Sequence, residues 1–152
     1  MFPYSVAQLS VYMANWVYHQ HKDPVLALDC LFHDAAEAYL GDLRGPLKKL
    51  LPEFQQIEDN IDQCIRKNFA FLGVPARQMV KTKELDKRIV MDEMSQLFAL
   101  PGPDIDFGDL EPLGITIRQV DYEIAETSWM SCVFKFSETI GSVSAAPAVE
   151  RI

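Results

Sequence analysis

Apolar residues return every three or four positions along most of this chain, the interval of a helix face, and few segments alternate as a strand would. From Tyr4 to about His19 the stripe is Val6, Leu9, Met13, Trp16 and Val17. Asp23 and Pro24 suit the cap and first turn of a second helix, which the apolar run carries to about Tyr39 before Gly41 ends it. Asp42-Leu43-Arg44-Gly45-Pro46 reads as a loop, followed by a short piece from Leu47 to Leu51. Pro52 opens a third helix reaching about Phe71, with Phe54, Ile57, Ile61 and Ile65 as its inward stripe and Gly73 as its end. A fourth helix spans roughly Arg77 to Leu100. A polar loop runs from Pro101 to Gly114, and a fifth helix from about Thr116 to Phe136. The Ser-, Ala- and Val-rich residues 137–152 read as a flexible tail. The prediction is one all-α domain over residues 1–136, built of about five main helices.

Bulk composition narrows the function. A chain of 152 residues can bury a core without disulfides or metal staples. Fourteen basic against 22 acidic residues give a net charge of −8, which argues against a protein that tracks a nucleic-acid backbone. A small phosphate-bearing substrate stays open, because a metal ion can supply positive charge locally. Cys30, Cys64 and Cys132 are scattered and odd in number, the usage of reduced, mostly buried thiols in a cytoplasmic protein. No basic residue precedes Lys22, so no secretory leader is expected. No apolar run approaches membrane-spanning length either, so no membrane partner is expected.

The chemistry concentrates in His33-Asp34-Ala35-Ala36-Glu37-Ala38-Tyr39-Leu40-Gly41-Asp42, an imidazole and three carboxylates at the end of an otherwise apolar helix. Charges carried into an apolar segment need compensation, and a divalent ion provides it. On a continuous helix His33 and Glu37 share a face, with Asp34 on the adjacent side. His and Asp suit Mn, Co, Ni or Zn. The plain alternative is a helix that surfaces near Leu40 and carries solvated charges. In the fourth helix Asp86 and Glu93 fall on the stripe of Val90 and Leu97, where a carboxylate needs a cation, an arginine or a metal as partner. Asp86 is a candidate third ligand; otherwise it forms a surface pair with Lys83 or Arg88, worth little. Trp16 and Tyr39 could stack a nucleobase, but on inward stripes they read as core. Trp129, Met130, Val133 and Phe134 read as packing against the core or a sister subunit. His19 and His21 read as ordinary exposed histidines, and the Lys48-Lys49 pair as solvated surface.

The string His33-Asp34-x-x-Glu37-x-x-x-Gly41-Asp42-Leu43, followed by Pro46 and Lys48, resembles the HD-domain metal-dependent phosphohydrolases. Within them it is most similar to the branch of bacterial 5′-deoxynucleotidases and phage-type dATP triphosphohydrolases. Asp86 with Arg88 and Glu93 resembles that branch's downstream Asp segment, and Tyr4-Ser5-Val6-Ala7-Gln8-x-Ser10 its opening helix. The likeness covers about residues 4 to 97. It implies an HD-type helical bundle in which His33, Asp34 and Asp86 hold one divalent ion (Mn, Co, Zn, Ni or Mg). It further implies that Glu37 is the acid/base for the attacking water, that Asp42 acts near the leaving oxygen or the sugar, and that Lys48 contacts a phosphate. The implied reaction is hydrolysis of a deoxynucleoside monophosphate ester or of a deoxynucleoside triphosphate such as dATP, by a protein able to form homo-oligomers. A metal ion in such a site lowers the pKa of bound water and polarises a phosphoryl oxygen.

Two departures weaken the implied site. Leu9 stands where the family carries a metal-binding histidine, and each lost ligand lowers affinity. The family's preceding segment, with an arginine that assists the substrate phosphate, has no counterpart before Met1. These departures favour the alternative of a catalytically impaired HD domain that binds a nucleotide or a protein as a regulator. A helical assembly module with no site at all would leave Glu37 and Asp86 unexplained.

Overall fold

The first two helices begin where the local chemistry dictates. In a computed structural model that describes residues 4–43, 45–75, 79–97 and 106–144, helix α1 (Val6–His21) starts at Ser5. The Ser5 side chain accepts from the Gln8 amide at 3.2 Å, and Lys22 closes the helix in the left-handed region at φ 54°. Helix α2 (Pro24–Leu31) is capped by Asp23, which accepts from the Leu26 amide at 2.9 Å, with Pro24 in the first turn. Short helices α3 (Glu37–Leu40) and α4 (Gly45–Lys48) follow, then α5 (Pro52–Asn68), a 3₁₀ turn at Ala70–Leu72, α6 (Met79–Leu97) and α7 (Tyr122–Ser144). The fold is all-α, with no strand among the described residues. None of the described helices is long and apolar enough to cross a membrane.

Helices α1, α2 and α7 pack against one another around Met13, Ala14, Val17, Leu26, Ala27, Leu28, Leu31, Val133 and Phe136, all buried. Leu85 and Ile89 of α6 close the core from α1 and α2. This packing supplies the non-directional part of the stability.

The structure corrects several boundaries and buried faces drawn from periodicity. The second helix is not continuous to Tyr39: it stops at Phe32, and residues 32–36 form tight turns before α3. The carbonyls released there are taken by His33 Nδ1 on Cys30 at 2.8 Å and by Arg66 Nη2 on Phe32 at 3.3 Å, contacts that no local pattern announces. In the third helix the predicted inward stripe is half-buried at best, with Ile57 50% exposed, and the buried residues are Asp62 and Arg66. The buried face of α6 carries Thr82, Leu85, Ile89 and Asp92, one position round from the expected one, so Asp86 and Glu93 are only half-buried. The fifth helix starts at Tyr122 rather than Thr116, capped by Asp121 on the Glu123 amide at 2.8 Å, and its helical backbone continues through residues 137–144 of the expected tail. Residues 145–152 lie outside the described residues, as do parts of the fourth helix and polar loop read from the sequence.

The segment before α7 is held as a strap by polar side chains of α1 and α6. Tyr12 and Gln8 donate to the Arg118 carbonyl, Trp16 Nε1 to Leu113 at 3.0 Å, and Gln96 Nε2 to Ile115 at 2.8 Å. Trp16 is therefore spent on packing, with the Arg88 guanidinium 5.1 Å over its ring. Tyr39 corrects a further expectation: it is 73% exposed rather than core. His19 and His21 are exposed, Cys30 and Cys132 are buried, and Cys64 is exposed.

Candidate functional site

The broken end of α2 is what makes a site. Because the chain leaves the helix at Phe32, His33 turns into the gap between α2 and α6 instead of continuing a helical face. Its imidazole is 4% exposed, and Nδ1 is pinned to the Cys30 carbonyl at 2.8 Å. That contact fixes the ring and turns Nε2 toward Asp34 and Asp86, the arrangement found in imidazole ligands whose other nitrogen donates to a carbonyl. Nε2 stands 2.8 Å from Asp34 Oδ2 and 3.8 Å from Asp86 Oδ1. Asp86 thus meets an imidazole, while Arg88 turns away to Glu84 and the Glu111 carbonyl.

These three groups border a cavity of about 600 Å³ together with Glu37, Asp42, Lys48, Lys83, Gln55, Glu58, Asp59, Thr82, Leu9 and Val6. All six residues implied by the resemblance therefore reach one cavity. The tight turns, rather than an i to i+4 helical pair, bring Glu37 to it: its amide donates to the Asp34 carbonyl at 2.9 Å. Lys48 is half-buried and bound to Glu58 at 2.7 Å, and Gln55 donates to its carbonyl at 3.0 Å. Lys83, Glu58, Asp59 and Gln55 were not legible as site residues. The α5 members Gln55, Glu58 and Asp59 lie three to four positions apart on one face of that helix, beside its apolar stripe.

The electrostatics are those of crowded acids. Burial raises the Glu37 carboxyl, and the charges of Asp34 and Asp42 raise it further, to about 7. Burial opposes the His33 cation, but hydrogen bonds to Asp34 and Asp86 and their charges outweigh it, pushing the imidazole up to about 10. Burial likewise opposes the Lys48 ammonium, and Glu58 outweighs it and raises its pKa. Glu93 lies outside the cavity lining, where burial raises its carboxyl against the opposing contribution of Tyr4.

Among the described residues no group of three or more His, Cys, Asp or Glu is arranged as a ready-made metal cage. The donor chemistry still suits an ion. Ligands each about 2.1 Å from one ion stand about 3 to 3.4 Å apart, and the separations of 2.8 and 3.8 Å from Nε2 bracket that span. Leu9, on the inner face of α1, reaches the same cavity and offers no donor.

No family model matches the chain, and no solved structure matches it. A protein of Escherichia coli (strain K12), the uncharacterized protein YfdR, is 35% identical over 94 residues, which are 62% of this chain and 48% of that protein. The chain thus spans about half the length of the curated relative it matches.

Proposed function

We propose that this chain is a metal-dependent phosphohydrolase of the HD type that acts on a small deoxynucleotide. The observation that carries the reading is the placement of His33 Nε2 between Asp34 and Asp86 at the wall of a cavity that also receives Glu37 and Asp42. His33, Asp34 and Asp86 would hold one divalent ion, which supplies the positive charge that offsets these acids and polarises a phosphoryl oxygen.

The chain's own residues do the rest. Glu37, at the cavity wall beside Asp34, can take a proton from an attacking water and return it to a leaving oxygen. Asp42, exposed on the loop after Gly41, is placed to accept a hydrogen bond from a sugar hydroxyl or to act near the leaving oxygen. Lys48 is neutralised by Glu58, so a phosphate must compete with that carboxylate for it. Lys83 borders the cavity with no ion-pair partner within 4.0 Å among the described residues, and is the more available cation.

The test is phosphate release from a panel of deoxynucleoside mono- and triphosphates by the purified chain with Mn²⁺ or Co²⁺, alongside metal analysis. Release that requires the ion and disappears with a chelator is the expected result. A chain that binds the ion or a nucleotide and releases no phosphate from any panel member would instead favour the regulatory reading, for which Leu9 is the specific observation. Leu9→His is expected to tighten Mn²⁺ binding by about tenfold or more, because it adds an imidazole donor to the cavity wall. Isothermal titration checks this, and an unchanged affinity would remove position 9 from the ion's reach.

A further inference from the structure

His33 lies in the turn that follows α2 and Asp86 on α6, and hydrophobic packing between the two is non-directional, so directional bonds are the natural means of setting their spacing. One turn before each residue lies a buried polar contact. Asp29 precedes His33 by four positions and is fully buried; Thr82 precedes Asp86 by four and is 3% exposed. The Thr82 hydroxyl donates to Asp29 Oδ2, and Arg66 Nη1 donates to Asp29 Oδ1 at 2.5 Å. Arg66 also donates through Nη2 to the carbonyl of Phe32, the residue just before His33, at 3.3 Å. It is fixed in turn by Asp62, whose oxygens accept from Nε at 3.0 and 2.9 Å, and by the Pro75 carbonyl at 3.2 Å. Charge-assisted bonds of this kind are directional and sheltered here from water. They tie α2, α5 and α6 together at one level of the fold.

We propose that Asp29, Arg66 and Thr82 form a positioning network that sets the His33 turn against Asp86. On the phosphohydrolase reading, on which this role in catalysis rests, the network fixes the spacing of two metal ligands. Asp29 and Arg66 do not border the cavity, and Thr82 borders it with its hydroxyl given to Asp29. All three act through other residues.

Thr82→Val keeps the shape and removes the donor, Thr82→Ser keeps the donor, and Val133→Ala opens the core on α7 away from the cavity as a control of stability alone. The full chain is titrated with Mn²⁺, and amide hydrogen exchange is followed over residues 33–37. Thr82→Val is expected to weaken Mn²⁺ binding about tenfold or more and to speed exchange in the turn. Thr82→Ser is expected to stay within about twofold of the parent, and Val133→Ala to lose thermal stability with neither effect. Unchanged exchange in Thr82→Val, or equal changes in Val133→Ala, would overturn the proposal. A parent chain that takes up no Mn²⁺ sinks the phosphohydrolase reading alone, and exchange in the turn then decides the positioning role. Should Thr82→Val not fold, Thr82→Cys, with a weak donor of similar size, takes its place and is judged by the same readouts.

Discussion

Glu37→Gln is expected to lower metal-dependent phosphate release by about a hundredfold or more while leaving Mn²⁺ affinity close to the parent's. Glutamine keeps the size and hydrogen-bonding reach of the side chain and loses its capacity to accept a proton. The same substitution has a stability signature that does not depend on activity. Between the usual 4.5 and about 7, the folded chain holds the Glu37 proton that the unfolded chain has already released. Stability contributed by this position therefore falls as pH rises through that window, because the folded state binds the greater number of protons. The variant lacks this slope. It should match the parent near pH 4 and exceed it in midpoint temperature at pH 8, with the gap moderated because the carboxyl is partly solvated. Full turnover in the variant would remove Glu37 from the reaction, and parallel melting curves at both pH values would mean that its carboxyl is not crowded.

What the sequence disclosed and what it hid follow from the range of the forces involved. The caps at Ser5 and Asp23, the first-turn Pro24 and the stripes of α1 and α2 are local, so those helix starts were readable within two residues. The residues grouped around His33 were readable because a charge cluster in an apolar segment is itself a local anomaly. The break at Phe32 was hidden, since nothing between Pro24 and Leu40 is a helix breaker; a guanidinium 34 positions away takes the freed carbonyl. The same holds for the strap before α7. Ile115 and Ile117 look helical by period, yet Gln96 takes the backbone of both, and Tyr12, Trp16, Arg88 and Asp92 bind their neighbours. Local propensity lost to side-chain donors from distant elements. The local signal that marks the α7 start is Asp121, a residue type suited to an N-cap, whose carboxylate accepts from the Glu123 and Ile124 amides.

Arg66→Met is expected to be the most damaging single change, costing about 3 to 5 kcal/mol of folding stability. The guanidinium is 5% exposed and is shared by two carboxylates with side chains 0% and 6% exposed, so its removal takes away the cation that offsets two buried anions. Loss of packing is small by comparison, because methionine refills much of the volume. A loss of that size is a large part of the roughly 5 to 15 kcal/mol that holds a domain folded. In a chain of this length it corresponds to about 10 °C or more in the midpoint temperature. If the damage comes from unpaired charge, then adding Asp29→Asn and Asp62→Asn to the methionine variant should recover part of it. A packing defect would instead grow with each further substitution. Urea unfolding of the single, double and triple variants separates the two cases. A loss under about 1 kcal/mol for Arg66→Met would mean that water reaches these carboxylates freely, and the network could not then be what holds α2, α5 and α6 in register around the His33 turn.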